Sequence, residues 1–203
     1  MTQASGRSVG TRERNRAGRA AIARLFAAAA DAFGSLGYKA TTVDDIVTRS
    51  GMARTTFYEY FGGKEDLFRA VLADVAGHVE AHAKTLQPIA ATAESRAALR
   101  AWVEGFVRLY SAHAALLRAW TEAEVVGNEF DVVGPQLYGE MTRRLTAAMR
   151  RGGNLDVDPG AAAVAFVSML ERLNYYAASG LLEVEATALS DTLTAVIYDG
   201  LFG

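Results

Sequence analysis

The stretch TVDDIVTRSGMARTTFYEYF, residues 42–61, decides the fold of this chain. It begins with Thr42, a favourable helix N-cap, followed by two aspartates in the first turn, where the positive end of a helix favours carboxylates. Gly51 then interrupts the helical pattern at a point where a turn needs a residue that tolerates positive φ. A second short helix is predicted over about residues 53–61. Two short helices joined by a glycine turn are typical of a helix-turn-helix.

Longer amphipathic helices flank this stretch on both sides. The preceding helix is predicted over residues 17–36 and ends at Gly37, where we expect a left-handed cap. Its apolar stripe repeats at helical spacing: Ile22, Leu25, Phe26, Ala29, Phe33 and Leu36. The following helix begins near Lys64, with an apolar face at Leu67, Val71, Leu72, Val75 and Val79.

The rest of the chain also reads as helices, and only 3 prolines occur in 203 residues. Prolines after Gly134 and after Asp158 suit helix starts, because proline is tolerated in the first helical turn. No run of alternating apolar and polar residues predicts a strand. We therefore expect an all-α fold, with these further helices: 94–112, 113–126, 134–151, 159–179 and 184–201.

Composition excludes several classes of protein. Hydrophobic residues make up 51% and charged residues 22% of the chain, as in a soluble globular protein. Since there is no cysteine, a disulfide framework, a thiolate metal site and a cysteine nucleophile are all excluded. The polar, Arg-rich start is unlike a secretory signal, and no run of about 18 apolar residues predicts a membrane span. We expect a cytoplasmic protein that has no membrane partner.

The net charge of −2 hides an uneven distribution. Residues 1–69 carry 11 Lys and Arg against 7 Asp and Glu, whereas residues 70–203 carry 10 against 16. A basic start on an acidic protein indicates either a polyanion partner at that end or a solvated tail. Residues 1–24 contain one acidic residue, Glu13, and six arginines: Arg7, Arg12, Arg14, Arg16, Arg19 and Arg24.

The second short helix carries side chains suited to reading DNA. The major groove admits one α-helix, which presents its N-terminal residues to the base edges. Here these residues are Arg54, which can fork onto guanine, and the Thr55 and Thr56 hydroxyls and methyls. Tyr58 is long enough to reach phosphate. Lys64 heads the next helix, where an ammonium and free backbone N–H groups suit a phosphate oxygen.

The same region resembles the tetracycline-repressor (TetR) family over about residues 18–72. The resemblance rests on Gly37-Tyr38, Thr41-Thr42-Val43, Ile46, Gly51-Met52, Thr56-Phe57-Tyr58-Glu59-Tyr60-Phe61 and Lys64-Glu65-Asp66-Leu67. It implies a flexible basic arm over 1–17, a three-helix DNA-binding domain over 18–66, and a larger helical ligand-binding and dimerisation domain over 67–203. It also implies that an operator is contacted by Thr42, Arg54, Thr55, Thr56, Tyr58, Tyr60 and Lys64. By the same resemblance, Arg12, Arg14 and Arg16 approach the DNA backbone or minor groove.

Other interpretations of these residues remain open. Val47 stands where the family usually has alanine, and Asp44 and Asp45 place negative charge near the DNA side. Of the two tyrosines, Tyr60 is the more expected to be buried beside Phe57 and Phe61. Lys64 could instead be a surface lysine near a helix cap.

The second half is rich in aromatic residues that could fill a core or line a cavity for an apolar effector. Asn174 or Glu124 could orient such a ligand. Two segments, 102–105 and 170–172, resemble actinobacterial TetR-type regulators with long hydrophobic channels, which implies that Trp102 and Asn174 line the channel. The candidate ligand-binding residues are Trp102, Phe106, Tyr110, Trp120, Tyr138, Met141, Phe166, Met169, Leu170 and Asn174, with Phe130 in the same aromatic set.

The last two helices are predicted to form a homodimer through a four-helix interface. Small residues at 161–163 and 165 permit close approach, and the apolar stripe comprises Leu189, Leu193, Val196, Ile197 and Leu201. Such a dimer would place two recognition helices about 34–36 Å apart on a near-palindromic operator. Effector binding would weaken operator binding through linkage, with the helix from Lys64 to about Thr85 as the lever.

The sequence predicts a repressor that a small hydrophobic molecule releases from its operator, and two other functions compete with this prediction. An enzyme is disfavoured, since the sequence has no phosphate loop, nucleophile elbow or metalloprotease motif. His78 and His82 are four residues apart, but surface histidines explain them better than a metal site. We expect no cofactor and no metal. A helical bundle that no longer reads DNA is the second rival, and a steep salt dependence of DNA binding would argue against it.

Overall fold

The computed structural model describes the backbone of residues 5–124, 133–153 and 155–202, and the side chains of 16–121, 134–153 and 155–202. Those residues form helices without any β-strand, which confirms the all-α prediction. The chain divides into two compact units after Val71. The helices are α1 (Ser5–Ala40), α2 (Val43–Ser50), α3 (Arg54–Tyr60), α4 (Lys64–Ala83), α5 (Ala93–Glu124), α6 (Val133–Gly152), α7 (Pro159–Ala178) and α8 (Ala186–Phe202).

The first unit packs α2, α3 and the start of α4 against α1. The predicted α1 stripe supplies Leu25, Ala29 and Phe33, all fully buried, whereas Leu36 at its end is exposed. α1 begins at Ser5, well before the predicted start at residue 17. The core is completed by Ile46, Phe57, Leu67 and Phe68, which are also fully buried.

By length and composition alone, the part of α1 from Arg16 to Ala40 could span a membrane. That differs from the prediction that no segment could. The same helix contributes Leu25, Ala29 and Phe33 to the core of the first unit, and core helices of soluble proteins pass the same test.

Local capping follows the predicted chemistry, with one difference. The Thr42 hydroxyl accepts from the Asp45 N–H at 3.2 Å, and the Asp45 carboxylate accepts from the Thr42 N–H at 2.8 Å, so the two form a capping box. Gly51 has φ 62° and ψ 31°, the left-handed conformation expected. Gly37 also has positive φ (79°), but its ψ of 163° lies outside the left-handed helical region, so the backbone kinks there.

The second unit packs α5 against α7 and α8, and α6 against α7. Asp158 caps α7 by accepting from the Ala161 N–H at 2.8 Å, with Pro159 in the first turn as predicted. The prediction of separate helices over 94–112 and 113–126 is wrong, because α5 runs unbroken from Ala93 to Glu124. The residues around position 112 are mainly good helix formers with no glycine or proline stop, so nothing ends the helix there.

The apolar stripe of α8, which was predicted to form the dimer interface, is mostly buried within the protomer. Leu189, Leu193, Ile197 and Leu201 are buried in the core of their own protomer, and of the stripe only Val196 is exposed, at 51%. The reason is that α8 packs directly on α5, which needs an apolar face of its own.

Candidate nucleic-acid interface and ligand cavity

The turn between α2 and α3 is held by backbone and side-chain hydrogen bonds. The Met52 N–H donates to the Val47 carbonyl at 3.1 Å, and the Arg24 guanidinium donates to the Ser50 carbonyl. By sequence position Arg24 is one of the six arginines of the basic start, and in the structure its hydrogen bond stabilises this turn. The orientation of α3 therefore depends on Gly51 and on a side chain from α1.

Helix α3 has one face in the core and one in solvent. Phe57 is fully buried, while Arg54, Thr55 and Tyr58 are exposed and Thr56 is half-buried. The residues predicted to meet base edges therefore lie at the accessible N-terminal end of the helix, as direct readout requires.

An ion pair that sequence reasoning missed organises this exposed face. The Arg54 guanidinium donates to the Asp44 carboxylate of α2 and to the Tyr58 hydroxyl at 3.3 Å, and it lies 5.6 Å from the centre of the Tyr58 ring. Hydrogen bonding to Asp44 raises the pKa of Arg54, so the guanidinium stays charged. The sequence alone could have indicated this ion pair, because it predicts the Asp44 carboxylate near the DNA side without a partner.

Neither tyrosine of α3 is buried, although Tyr60 is the less exposed of the two. Tyr60 was expected to be the buried one, but Tyr58 is 47% and Tyr60 36% exposed. Phe57 and Phe61 supply the buried rings of this segment. Because both phenol rings reach solvent, both are available to a partner molecule.

Lys64 is held by backbone carbonyls. Its ammonium donates to the carbonyl oxygens of Tyr38, Lys39 and Thr41 at 3.0, 3.2 and 2.9 Å. It also lies 4.8 Å from the centre of the Tyr38 ring. An ammonium has three N–H donors, so these carbonyls occupy all of them and tie the end of α1 to the start of α4.

Thr42 is the exposed N-cap residue of α2. Its hydroxyl accepts from the Asp45 N–H and donates to the Asp45 carboxylate at 2.6 Å. Hydrogen bonds from Thr42 lower the pKa of Asp45, so the capping carboxylate stays ionised. The Thr42 side chain is therefore already engaged in helix capping.

The basic arm lies largely outside the described side chains. This holds for Arg12 and Arg14, whereas the Arg16 side chain is exposed on α1. In the second half, Glu124 and Phe130 also lie outside the described side chains.

The second unit contains a cavity of about 400 Å³ between α4, α5, α6 and α7. Six of the ten predicted ligand-binding residues line it: Phe106, Tyr110, Trp120, Tyr138, Met141 and Leu170. The volume lies in the range of small-molecule sites.

The other four predicted residues do not line this cavity. Trp102 stacks on His82 at 5.1 Å between ring centres, and its indole N–H donates to the His82 carbonyl at 3.2 Å. Asn174 is buried, and its amide N–H donates to the Leu170 carbonyl at 2.7 Å within α7. Phe166 is fully buried in the core, and Met169 packs against that core. Spacing along a helix could not separate these residues from the cavity liners.

Sequence reasoning missed the wall that α4 contributes. Leu72, Val75, Ala76 and Val79 line the cavity, although the apolar stripe of this helix had been identified. Among the liners, Glu171 is the one residue with an ionisable carboxylate, and none is Lys or Arg. The described wall is therefore apolar and aromatic, with an acidic group at one point.

Two aromatic side chains bring polar atoms into this wall. The Trp120 indole Nε1 is buried and has no hydrogen-bond partner among the described residues. Burial raises the pKa of the Tyr110 phenol, with the Glu171 carboxylate acting in the same direction, so Tyr110 stays neutral. The cavity thus offers an unpaired donor and a neutral hydroxyl.

Comparison with known proteins agrees with this architecture. Residues 25–71 match the family of bacterial regulatory proteins described as tetR family. The transcriptional activator FasR of Mycolicibacterium smegmatis is 33% identical over 83 residues, which is 41% of this chain and 37% of that protein. Residues 25–71 are therefore a tetR-family domain.

Solved structures of the tetR fold extend the match to both units. PfmR, a TetR-family regulator of Thermus thermophilus, shares 22% identity with a TM-score of 0.66, and the match covers 89% of this chain and 95% of that one. The fatty acid degradation regulator FadR of Bacillus halodurans shares 17% identity with a TM-score of 0.67, over 90% and 96% of the two chains. At these identities the structures show a shared fold.

The tetR assignment also bears on the class of activity. As predicted, this is a family of regulatory proteins and not of enzymes. The matched stretch spans little more than a third of FasR.

Proposed function

We propose that the chain is a ligand-responsive transcription regulator that binds operator DNA in a sequence-specific manner. The observation that carries this proposal is the solvent-facing N-terminal end of α3, where Arg54, Thr55 and Tyr58 are exposed on a helix fixed by the α2–α3 turn. A helix presented in this way fits the major groove.

We propose the following division of roles at the DNA. Arg54 reads a guanine edge, Thr55 and Thr56 contact bases or phosphate, and Tyr58 contacts phosphate. Arg54 is held by Asp44 in the free protein, so binding requires the guanidinium to leave or share that carboxylate.

Three further residues are assigned to the margins of this interface. Tyr60 offers an exposed phenol to the DNA backbone, and Thr42 is exposed at the start of α2. For Lys64, the three carbonyl contacts favour a positioning role over a direct phosphate contact. Arg12, Arg14 and Arg16 supply positive charge ahead of the domain.

We propose that two chains pair through α7 and α8. The α8 leucines are used inside the protomer, so the interface falls instead on exposed apolar side chains. Val164 of α7 is 45% and Val196 of α8 51% exposed, with Ala161 and Ala165 beside Val164 on α7. Such a face on adjacent helices suits an isologous four-helix contact.

We propose that the effector is an apolar molecule without a free acid group. Glu171 is the one charged side chain among the described lining residues, and its partner Arg172, at 3.7 Å, does not line the cavity. An anionic ligand would therefore meet a carboxylate in the wall and no cation. FadR of Bacillus halodurans is titled a fatty acid degradation regulator. An acyl chain bound here would carry its carboxyl group as an ester or thioester.

Ligand and operator would be coupled through linkage. Helix α4 carries Lys64 at its start and the cavity residues Leu72, Val75 and Val79 further along. An effector that shifts α4 must change operator affinity by the factor by which DNA changes effector affinity. We propose release from the operator, and hence repression, as the outcome.

The test is fluorescence anisotropy with DNA flanking the chain's own gene, against a scrambled duplex, over a salt series. We expect specific binding near physiological salt that weakens steeply above it, as counterion release demands. Arg54→Gln should abolish discrimination between the two duplexes, whereas Arg96→Gln in the second unit should not. Equal binding of both duplexes by the unchanged protein would favour a helical bundle that does not read DNA.

A further inference from the structure

The second unit is acidic, yet half of its basic side chains gather in one place. Residues 70–203 contain 10 Lys and Arg against 16 Asp and Glu. Five of the ten line two adjoining depressions on α6 and the end of α4: Lys84, Arg143, Arg144, Arg150 and Arg151. We call this set the arginine groove.

The depression between α6 and the end of α4 has a volume of about 350 Å³, and the one along α6 has a volume of about 440 Å³. Arg143 and Arg151 line both depressions, so the two form one continuous surface. Along a helix, eight residues span about 12 Å. The cations therefore form a row long enough to meet several anionic groups at once.

One carboxylate faces this row. Among the groove liners only Glu140 is acidic, and it binds Arg143 at 2.7 Å and Arg144 at 2.6 Å. The hydrogen bond from Arg143 lowers the pKa of Glu140, so it remains ionised. Within the described residues, Lys84, Arg150 and Arg151 have no ion-pair partner. The five cations and one carboxylate leave a formal charge of +4.

Two buried polar atoms at the groove also have no partner among the described residues. They are the Arg144 Nε, which is a donor, and the Thr142 hydroxyl. Buried polar groups in native proteins are nearly always hydrogen-bonded, so such orphans call for an explanation. Both atoms can donate, and both lack an acceptor within the described residues.

Helix capping explains only part of this pattern. Cations in the last turn complement the negative end of a helix, and Arg150 and Arg151 lie there. Arg143 and Arg144 lie two turns earlier, and Lys84 lies outside α6. The effect falls off within the last turn, so it does not account for these three.

We propose that the arginine groove binds a small polyphosphate, a molecule with at least two linked phosphates. A single phosphate would meet only part of a 12 Å row, by the helix rise above, and planar guanidinium groups match phosphate oxygens in bidentate geometry. Inorganic polyphosphate and nucleoside polyphosphates share this chemistry. The site is separate from the apolar cavity, since no residue lines both.

The test is isothermal titration of the full chain with sodium triphosphate, ATP and monophosphate at constant ionic strength. We expect saturable triphosphate binding at least tenfold tighter than monophosphate binding. Equal affinities for triphosphate and ATP would assign the site to the phosphate chain, whereas tighter ATP binding would assign it to nucleotides.

Paired variants locate the site. Arg143→Gln with Arg151→Gln should weaken triphosphate binding at least tenfold, and Arg150→Gln with Arg151→Gln is a second pair for the same test. Arg96→Gln with Arg108→Gln removes the same charge elsewhere in the unit and should change affinity less than twofold. Circular dichroism verifies that all variants fold. The proposal is overturned if triphosphate does not saturate, if both kinds of pair weaken binding equally, or if the groove variants lose only DNA affinity.

Discussion

Replacing Lys64 by alanine tests whether this residue touches DNA or holds the DNA-binding unit together. Its ammonium donates to three carbonyls at 2.9–3.2 Å. Hydrogen bonds to charged groups contribute about 1.5–3 kcal/mol each. Lys64 is half-buried and one of its bonds is exposed, so we expect a loss of about 2–3 kcal/mol for all three together.

Operator binding should respond differently from stability. A domain with about 5–15 kcal/mol of stability stays mostly folded after such a loss. If Lys64 made no phosphate contact, the slope of log affinity against log salt would stay unchanged. If it did, the slope would shrink by about 0.9 for each protomer bound. The slope therefore separates a positioning residue from a contact residue.

The assay pairs urea unfolding, followed by circular dichroism, with anisotropy over a salt series. Lys39→Ala is the matched control, because Lys39 is an exposed lysine at the end of the same α1 segment. We expect Lys64→Ala to lower the unfolding midpoint and Lys39→Ala to leave it in place. A Lys64→Ala protein of unchanged stability with a reduced salt slope would refute the positioning role.

Four further perturbations follow from the structure. Asp44→Asn should free Arg54 and raise affinity for scrambled DNA in the anisotropy assay; unchanged affinity would mean that the ion pair does not restrain Arg54. Val196→Asp should shift the chain from dimer to monomer in light scattering, whereas Leu181→Asp, also exposed but in the α7–α8 connection, should not. Glu171→Lys should let the cavity accept a free fatty acid that the unchanged protein rejects in a calorimetric titration, and rejection by both proteins would contradict the charge argument. Burial lowers the pKa of His82 and His113 below the ordinary 6.5, so the unfolded chain takes up protons first and the free energy of unfolding should fall as pH drops below about 6.5; a flat profile between pH 7 and 5 would contradict it.

The first unit was the more predictable part of the chain because local chemistry determines it. The Thr42 cap, the positive φ of Gly51 and the 3.6-residue stripe of α1 each depend on residues close in sequence. The Arg54–Asp44 pair and the Lys64 contacts with Tyr38 and Thr41 were not predicted. These contacts join residues 10 to 26 positions apart in sequence, and side-chain reach in three dimensions decides them.

The second unit shows why an apolar pattern predicts burial better than it predicts function. Trp102, Phe106 and Tyr110 occupy one face of α5, and the pattern treats them alike, yet only Phe106 and Tyr110 line the cavity. The His82 ring stacks on the Trp102 ring. His82 can occupy this position only because residue 105 is glycine, since a Cβ there would lie 2.5 Å from the imidazole. The contact with α4, which the spacing of residues along α5 does not reveal, therefore decides which aromatic side chains of α5 remain open to a ligand. Helix α8 shows the same effect: its leucines are buried where α8 packs on α5, and Val196 remains exposed for contact with a partner.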